Sequence, residues 1–144
     1  MGFPGEDEEA FADTMELVRK VEFDGIFSFV YSPRRNTAAS VLPDEVPRET
    51  GFARLAALQA LQKQITIGKN KAMEGKHVEV LVEATSKNSG EELMGRTRTG
   101  KIVNFEGREE LIGSLVTVSI VKGYANSLKG EKLEIEGGIT CSRR

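Results

Sequence analysis

The spacing of hydrophobic residues changes three times along the chain, and each change marks a different kind of element. Phe11, Met15 and Val18 recur at four and three residues, which is one helical face, with Leu17 and Val21 beside them. Glu6 to Glu9 precede this stripe and put acids where a helix N-terminus favours negative charge. Gly2-Phe3-Pro4-Gly5 before them reads as a tight turn. Ile26, Phe27, Phe29, Val30 and Tyr31 then follow with almost no polar alternation. That pattern predicts a strand buried on both faces, as in a parallel sheet covered by helices. Turn, helix and strand make up an incomplete α/β unit over residues 1–47. Its last stretch, SPRRNTAASVLPDEVP, is bracketed by Pro33, Pro43 and Pro47 and cannot be helical throughout.

Residues 48–74 contain no proline, and Phe52, Leu55, Leu58, Leu61 and Ile65 form a second helical stripe. One long amphipathic helix is expected there, weakened near Gly68 and ended by Gly75. The stripe packs against its neighbours or, alternatively, pairs the helix with a second copy. After Gly75 the period falls to two: Val78, Val80, Val82 and Ala84 alternate with His77, Glu79, Leu81 and Glu83. A turn at Lys87 to Gly90, strands at Leu93–Thr99, Lys101–Phe105 and Leu115–Val121, and a last one at Leu133–Glu136 complete the pattern. Several short strands with Gly and Asn turns predict a small antiparallel β-barrel of the oligonucleotide-binding kind over 75–136. Residues 137–144 are a tail. The fold class is thus α+β: an α/β remnant, a connecting helix and a β-barrel.

Composition changes this picture only through the distribution of charge. The chain carries 20 basic and 22 acidic residues. Leu93 to Phe105 holds Arg96, Arg98 and Lys101 without an acid, and Lys122 to Gly130 holds Lys122 and Lys129 without one. Segregated charge of this sort permits nucleic-acid binding even in a balanced chain. The single cysteine, Cys141, offers no disulfide framework and no metal cage, and fits a reducing cytoplasm. No apolar run is long enough for a membrane span, and the first residues are not a secretory signal, so a cytoplasmic chain with no membrane partner is expected.

Arg96 and Arg98 stand two apart in a strand and leave the same face. With Lys101, Asn104, Lys87, Lys122, Asn126 and Lys129 they make a candidate surface for tracking phosphates and stacking bases of RNA or DNA. A plain solvated strand face is the alternative. His77 has no nucleophile or carboxylate pattern directed at it and reads as a surface residue. The GFPGE turn lacks the Lys-Ser/Thr of a P-loop. No catalytic pair and no metal-ligand cluster is legible.

The strings GFPGE at 2–6, FSFVYSPR at 27–34, LMGRTRTGKIVNFEG at 93–107 and NSLKGE at 126–131 resemble the C-terminal part of the MiaB-type tRNA methylthiotransferases. These are radical S-adenosylmethionine enzymes that convert N6-isopentenyladenosine, next to the tRNA anticodon, to its 2-methylthio form. The resemblance implies the end of a radical-enzyme barrel followed by a TRAM domain that binds the tRNA anticodon stem-loop. It implies that Gly2, Pro4 and Gly5 back the S-adenosylmethionine site. The family continues the SPR loop with Pro-Gly-Thr-Pro, whereas this chain has Arg35-Asn36-Thr37-Ala38. The family also needs a CxxxCxxC triplet and three further cysteines for two 4Fe-4S clusters. With one cysteine, this piece is expected to hold no cluster or metal and to be inactive alone. Two alternatives stay open, a stand-alone TRAM-type RNA-binding module and part of a ribosomal-protein methylthiotransferase. The doubly apolar strand also raises the expectation of self-association.

Overall fold

A computed structural model describes residues 1–86 and 92–133. The chain divides into two compact units, Met1–Lys69 and Asn70–Arg144. Two helices, α1 (Glu8–Val21) and α2 (Arg48–Lys71), precede five strands: β1 (His77–Thr85), β2 (Glu92–Thr97), β3 (Ile102–Glu106), β4 (Leu115–Gly123) and β5 (Leu128–Lys132).

In the first unit α1 starts where Asp7, its N-cap, accepts a hydrogen bond from the Ala10 amide at 2.8 Å. It ends at Glu22, which adopts the left-handed conformation with φ 51° and donates its N–H to the Val18 carbonyl. Of the predicted stripe only Val18 is fully buried. The long helix α2 runs unbroken through Gly68. Its predicted stripe is corrected in the same way: Leu58 is buried, but Phe52 is half exposed. The reason lies in the row Arg54, Leu58, Gln62 and Thr66, four residues apart on one face. The Arg54 guanidinium donates to the Glu6 carbonyl at 2.7 Å and to the Glu6 and Glu8 carboxylates. Gln62 donates to the Phe23 carbonyl, Thr66 to that of Asp24 and Lys69 to that of Glu22. The start and the end of α1 are thus tied to successive turns of α2, and the two helices run in the same direction. The hydrogen bond to Glu8 raises the pKa of Arg54, against the opposing effect of its burial, so the clamp stays charged.

The strand expected at Ile26–Tyr31 is not formed. The Tyr31 amide bonds the Met1 carbonyl at 2.8 Å, and the Met1 amino group bonds the Phe29 carbonyl. That is one short stretch of pairing on one side, and a strand needs a continuous ladder. Phe27 is 99% exposed and Phe29 74%. The proline-bracketed loop that follows contains only a short 3-10 turn, Ala38–Val41.

The second unit is a closed barrel with strand order β1-β2-β3-β5-β4, β4 pairing back onto β1. Inward positions follow the predicted period of two. Val80, Val82, Leu93, Val103, Phe105, Val118, Ile120 and Leu128 form its core, each at most 1% exposed. The barrel is antiparallel except between β3 and β5, which are parallel with Val103 beside Leu128 and Phe105 beside Gly130. An all-antiparallel barrel is impossible here, because five strands in a ring cannot alternate direction all the way round. The last strand also lies earlier than expected, at Leu128–Lys132, and β4 extends to Gly123. The predicted strand residues 134–136, the tail 137–144 and the turn at 87–90 lie outside the described residues.

α2 ends at Lys71, four residues before Gly75. The Met73 and Glu74 amides bond carbonyls three residues back, at Asn70 and Lys71, which tightens the last turn. Gly75 then turns the chain with φ 78°, and its amide bonds the Ile120 carbonyl.

Phe105 is the largest side chain of the core. Phe105→Ala is expected to lower barrel stability by about 3–5 kcal/mol, measured by denaturant titration of the full chain. Limited proteolysis is expected to cut first between Ser32 and Glu49, with residues 76–132 surviving longest. Early cleavage inside the barrel strands would contradict this.

Candidate nucleic-acid interface

Outward positions of the barrel carry its charge, and the strand register decides which charges meet. Met94 lies opposite Asn104, Asn104 opposite Lys129, and Lys129 opposite Lys122. Residues from β2, β3, β5 and β4 thus form one transverse row on the outer wall. Arg96 lies one step along β2 from this row, between Leu81 of β1 and Ile102 of β3. Four of the residues singled out from the sequence are therefore neighbours on one surface: Arg96, Asn104, Lys122 and Lys129.

The others are placed differently. Arg98 sits in the turn just after β2, and Asn126 in the bend between β4 and β5. Lys101 reaches the end of α2, where its ammonium donates to Asn70 Oδ1 at 2.9 Å. Asn70 is 4% exposed and also donates to the Tyr124 carbonyl at 2.7 Å. Gly123 packs directly on the backbone of Asn70 and Lys71, leaving no room there for a side chain. Lys101 is thus part of the joint between the helix end and the barrel. Lys87 lies outside the described residues.

Acids that looked remote in sequence are close in space. Arg96 Nε donates to Glu83 Oε2 at 3.1 Å, and Arg98 Nε donates to Glu79 Oε1 at 2.9 Å. Lys129 Nζ lies 3.5 Å from Glu92. Charge counted along the chain separated these partners, whereas β1 brings Glu79 and Glu83 alongside β2. The signal was present in the period of two, which puts both glutamates on the outer face with Leu81. Lys122 holds its ammonium 5.6 Å from the centre of the Tyr124 ring, a cation–π contact at a half-exposed aromatic. Such a ring offers a stacking surface for a base. Arg108 and Lys132, not singled out from the sequence, join Lys129 around an open cleft of about 830 Å³ that also holds Glu106, Glu110 and Glu131.

In the first unit Gly2 and Pro4 line a cleft of about 780 Å³ with Tyr31, Ser32, Gly51 and Phe52. Gly5 does not line it; its amide bonds the Asp44 carbonyl. Gly2 has φ 76°, and a side chain there would press on Gly51. The buried Tyr31 hydroxyl has no hydrogen-bond partner among the described residues. Among the described residues no group of His, Cys, Asp and Glu is arranged to hold a metal ion, and no helix is long and apolar enough to cross a membrane.

Comparison with known proteins agrees with the barrel fold. Residues 71–133 match the TRAM domain family. The chain is 50% identical over 133 residues to the tRNA-2-methylthio-N(6)-dimethylallyladenosine synthase of Syntrophus aciditrophicus, covering 92% of this chain and 29% of that protein. It is likewise 50% identical over 133 residues to the synthase of the same name from Clostridium botulinum strain Hall, and 46% identical over 134 residues to that of Moorella thermoacetica. Each of these two alignments covers 30% of the relative. The barrel is thus a TRAM domain. The chain is half-identical over nine-tenths of its length to tRNA-2-methylthio-N(6)-dimethylallyladenosine synthases, and spans about three-tenths of the length of these relatives.

Asn70 satisfies both a backbone carbonyl and an ammonium. Asn70→Ala is expected to lower the stability of the barrel by about 1–3 kcal/mol in thermal or denaturant unfolding. A change near zero would mean that water replaces both bonds without cost.

Proposed function

We propose that this chain is the C-terminal, tRNA-holding part of a cytoplasmic tRNA methylthiotransferase, whose whole form adds a methylthio group to N6-isopentenyladenosine beside the anticodon. The observation that carries the reading is the TRAM barrel with its outward row of Lys122, Lys129 and Asn104 beside Arg96. It occurs in a chain half-identical to synthases of that name over nine-tenths of its length. The barrel supplies binding, and the chemistry belongs to the longer protein. Iron–sulfur clusters are held by several thiolates, and one cysteine does not fit either 4Fe-4S cluster of the parent family, so no step through a cluster is assigned to these residues. The S-adenosylmethionine site of the longer protein is backed by Gly2 and Pro4. Their place on a cleft of small-molecule size supports this. Gly5 has no such support. The apolar Phe27 and Phe29 side chains on the same unit are surfaces for association, with the rest of the longer protein or with a second copy.

The test is tRNA binding by the full chain as a function of salt. If three to five of the cations reach phosphates, log K against log salt is expected to slope at about −2 to −3.5 for a single-stranded anticodon loop. The double variant Arg96→Ala, Arg98→Ala is expected to bind more weakly and to flatten the slope. Binding indifferent to salt, or an unchanged double variant, would contradict the reading.

A further inference from the structure

Arg96 and Arg98 are paired with acids on the face proposed to meet RNA, which at first sight weakens that face. The geometry of the pairs points the other way. In the Arg96–Glu83 pair the arginine side chain is 47% exposed and the glutamate 35%. In the Arg98–Glu79 pair the values are 83% and 39%. The Lys129–Glu92 pair has the same sense, 49% against 21%. In all three the acid is the more buried partner, and the cation is the one presented to solvent.

The donors are divided accordingly. Arg96 gives its Nε–H to Glu83 and one Nη1–H to the Gly100 carbonyl at 3.4 Å. Arg98 turns Nε and Nη2 to one oxygen of Glu79. A guanidinium has five N–H donors in a planar fork, so each arginine keeps three without a partner among the described residues. The carboxylates grip the Nε end and leave the remaining Nη donors to the outside, where a phosphate can be bound bidentately. Leu81, 43% exposed, stands between Glu79 and Glu83 on β1 and opposite Arg96. Both acids therefore project from the same wall as the arginines they hold.

We propose that Glu83 and Glu79 are positioning residues of the RNA-binding face, each fixing the plane of an arginine so that its free donors meet the phosphate backbone. The proposal rests on the tRNA-binding reading above. It reverses the expectation from charge alone, by which removing two acids would tighten binding to a polyanion.

Two double variants of the full chain separate the cases. Glu79→Thr, Glu83→Thr removes charge and reach while suiting an exposed strand position. Glu79→Gln, Glu83→Gln removes the charge and keeps an oxygen that accepts from Nε. With tRNA as the probe, the Thr variant is expected to bind about five- to tenfold more weakly than the parent, and the Gln variant to recover most of that loss. The arginine Nε–H proton resonances provide a readout without RNA. They should be resolved and slow to exchange in the parent and the Gln variant, and averaged in the Thr variant. Tighter or unchanged binding by the Thr variant, or equal loss in both variants, overturns the positioning role while leaving the tRNA-binding reading in place. Averaged Nε–H signals in the parent overturn it as well, whatever the affinities. A parent that does not bind tRNA overturns the reading itself, and this role with it.

Discussion

A ring of five strands cannot alternate direction around its whole circumference, so one pair must be parallel. Here that pair is β3 and β5, and much of the barrel follows from it. The β4–β5 hairpin carries β5 back into the gap between β4 and β3, which closes the wall and leaves no strand edge unpaired. Closure places Gly130 beside Phe105, where a side chain would run into Val118 and the carbonyl of Ser119. Gly95 meets the same restriction against Val80 and the Leu81 carbonyl. Both are inward positions where two backbones approach with nothing between them, and a Cβ at either would push the wall open. The same closure sets Lys129 between Asn104 and Lys122, so the polar row on the outer wall is a by-product of the seam.

How much of this was legible depends on whether the deciding contact was local. Strand positions in the barrel were, because Val78, Val80, Val82 and Val116, Val118, Ile120 declare their inward faces by alternation alone. The parallel seam was not, because it depends on a strand count and on where β5 lies, and the pattern had put that strand five residues late. The doubly apolar run at Ile26–Tyr31 predicts a strand with cover on both faces, and no strand forms there. It remains without a ladder because, among the described residues, only the Met1 backbone pairs with it. The α2 stripe misled for another reason. Leucines at helical spacing outweigh Arg54 and Gln62 in any count of apolar residues, yet those two polar side chains are buried and choose the face by reaching carbonyls of distant residues.

The candidate surface shows the same division. The alternation of Arg96 with inward neighbours was plain in the sequence, but the acids that hold the arginines come from another strand, and only register reveals them. Lys101 illustrates the converse. Its place in the sequence puts it among the cations of the surface, whereas its ammonium bonds Asn70 at the end of α2. The whole string GRTRTGKIVNFEG, more than any one residue in it, carried the resemblance that the relatives bear out.

The polar row on α2 has a consequence for how the first unit comes apart. Among its described residues Val18 and Leu58 are the buried hydrophobic side chains, against eight in the barrel. The heat capacity change of unfolding and the denaturant m-value both scale with the apolar surface released, and polar exposure counts against the former. A unit joined by guanidinium, amide and hydroxyl groups bonding carbonyls therefore gives up little of either. Its loosening is expected to be shallower in urea and less curved in temperature than the melting of the barrel, which has the larger apolar core. On this ground a probe on Tyr31 and a probe on Tyr124 are expected to report different transitions.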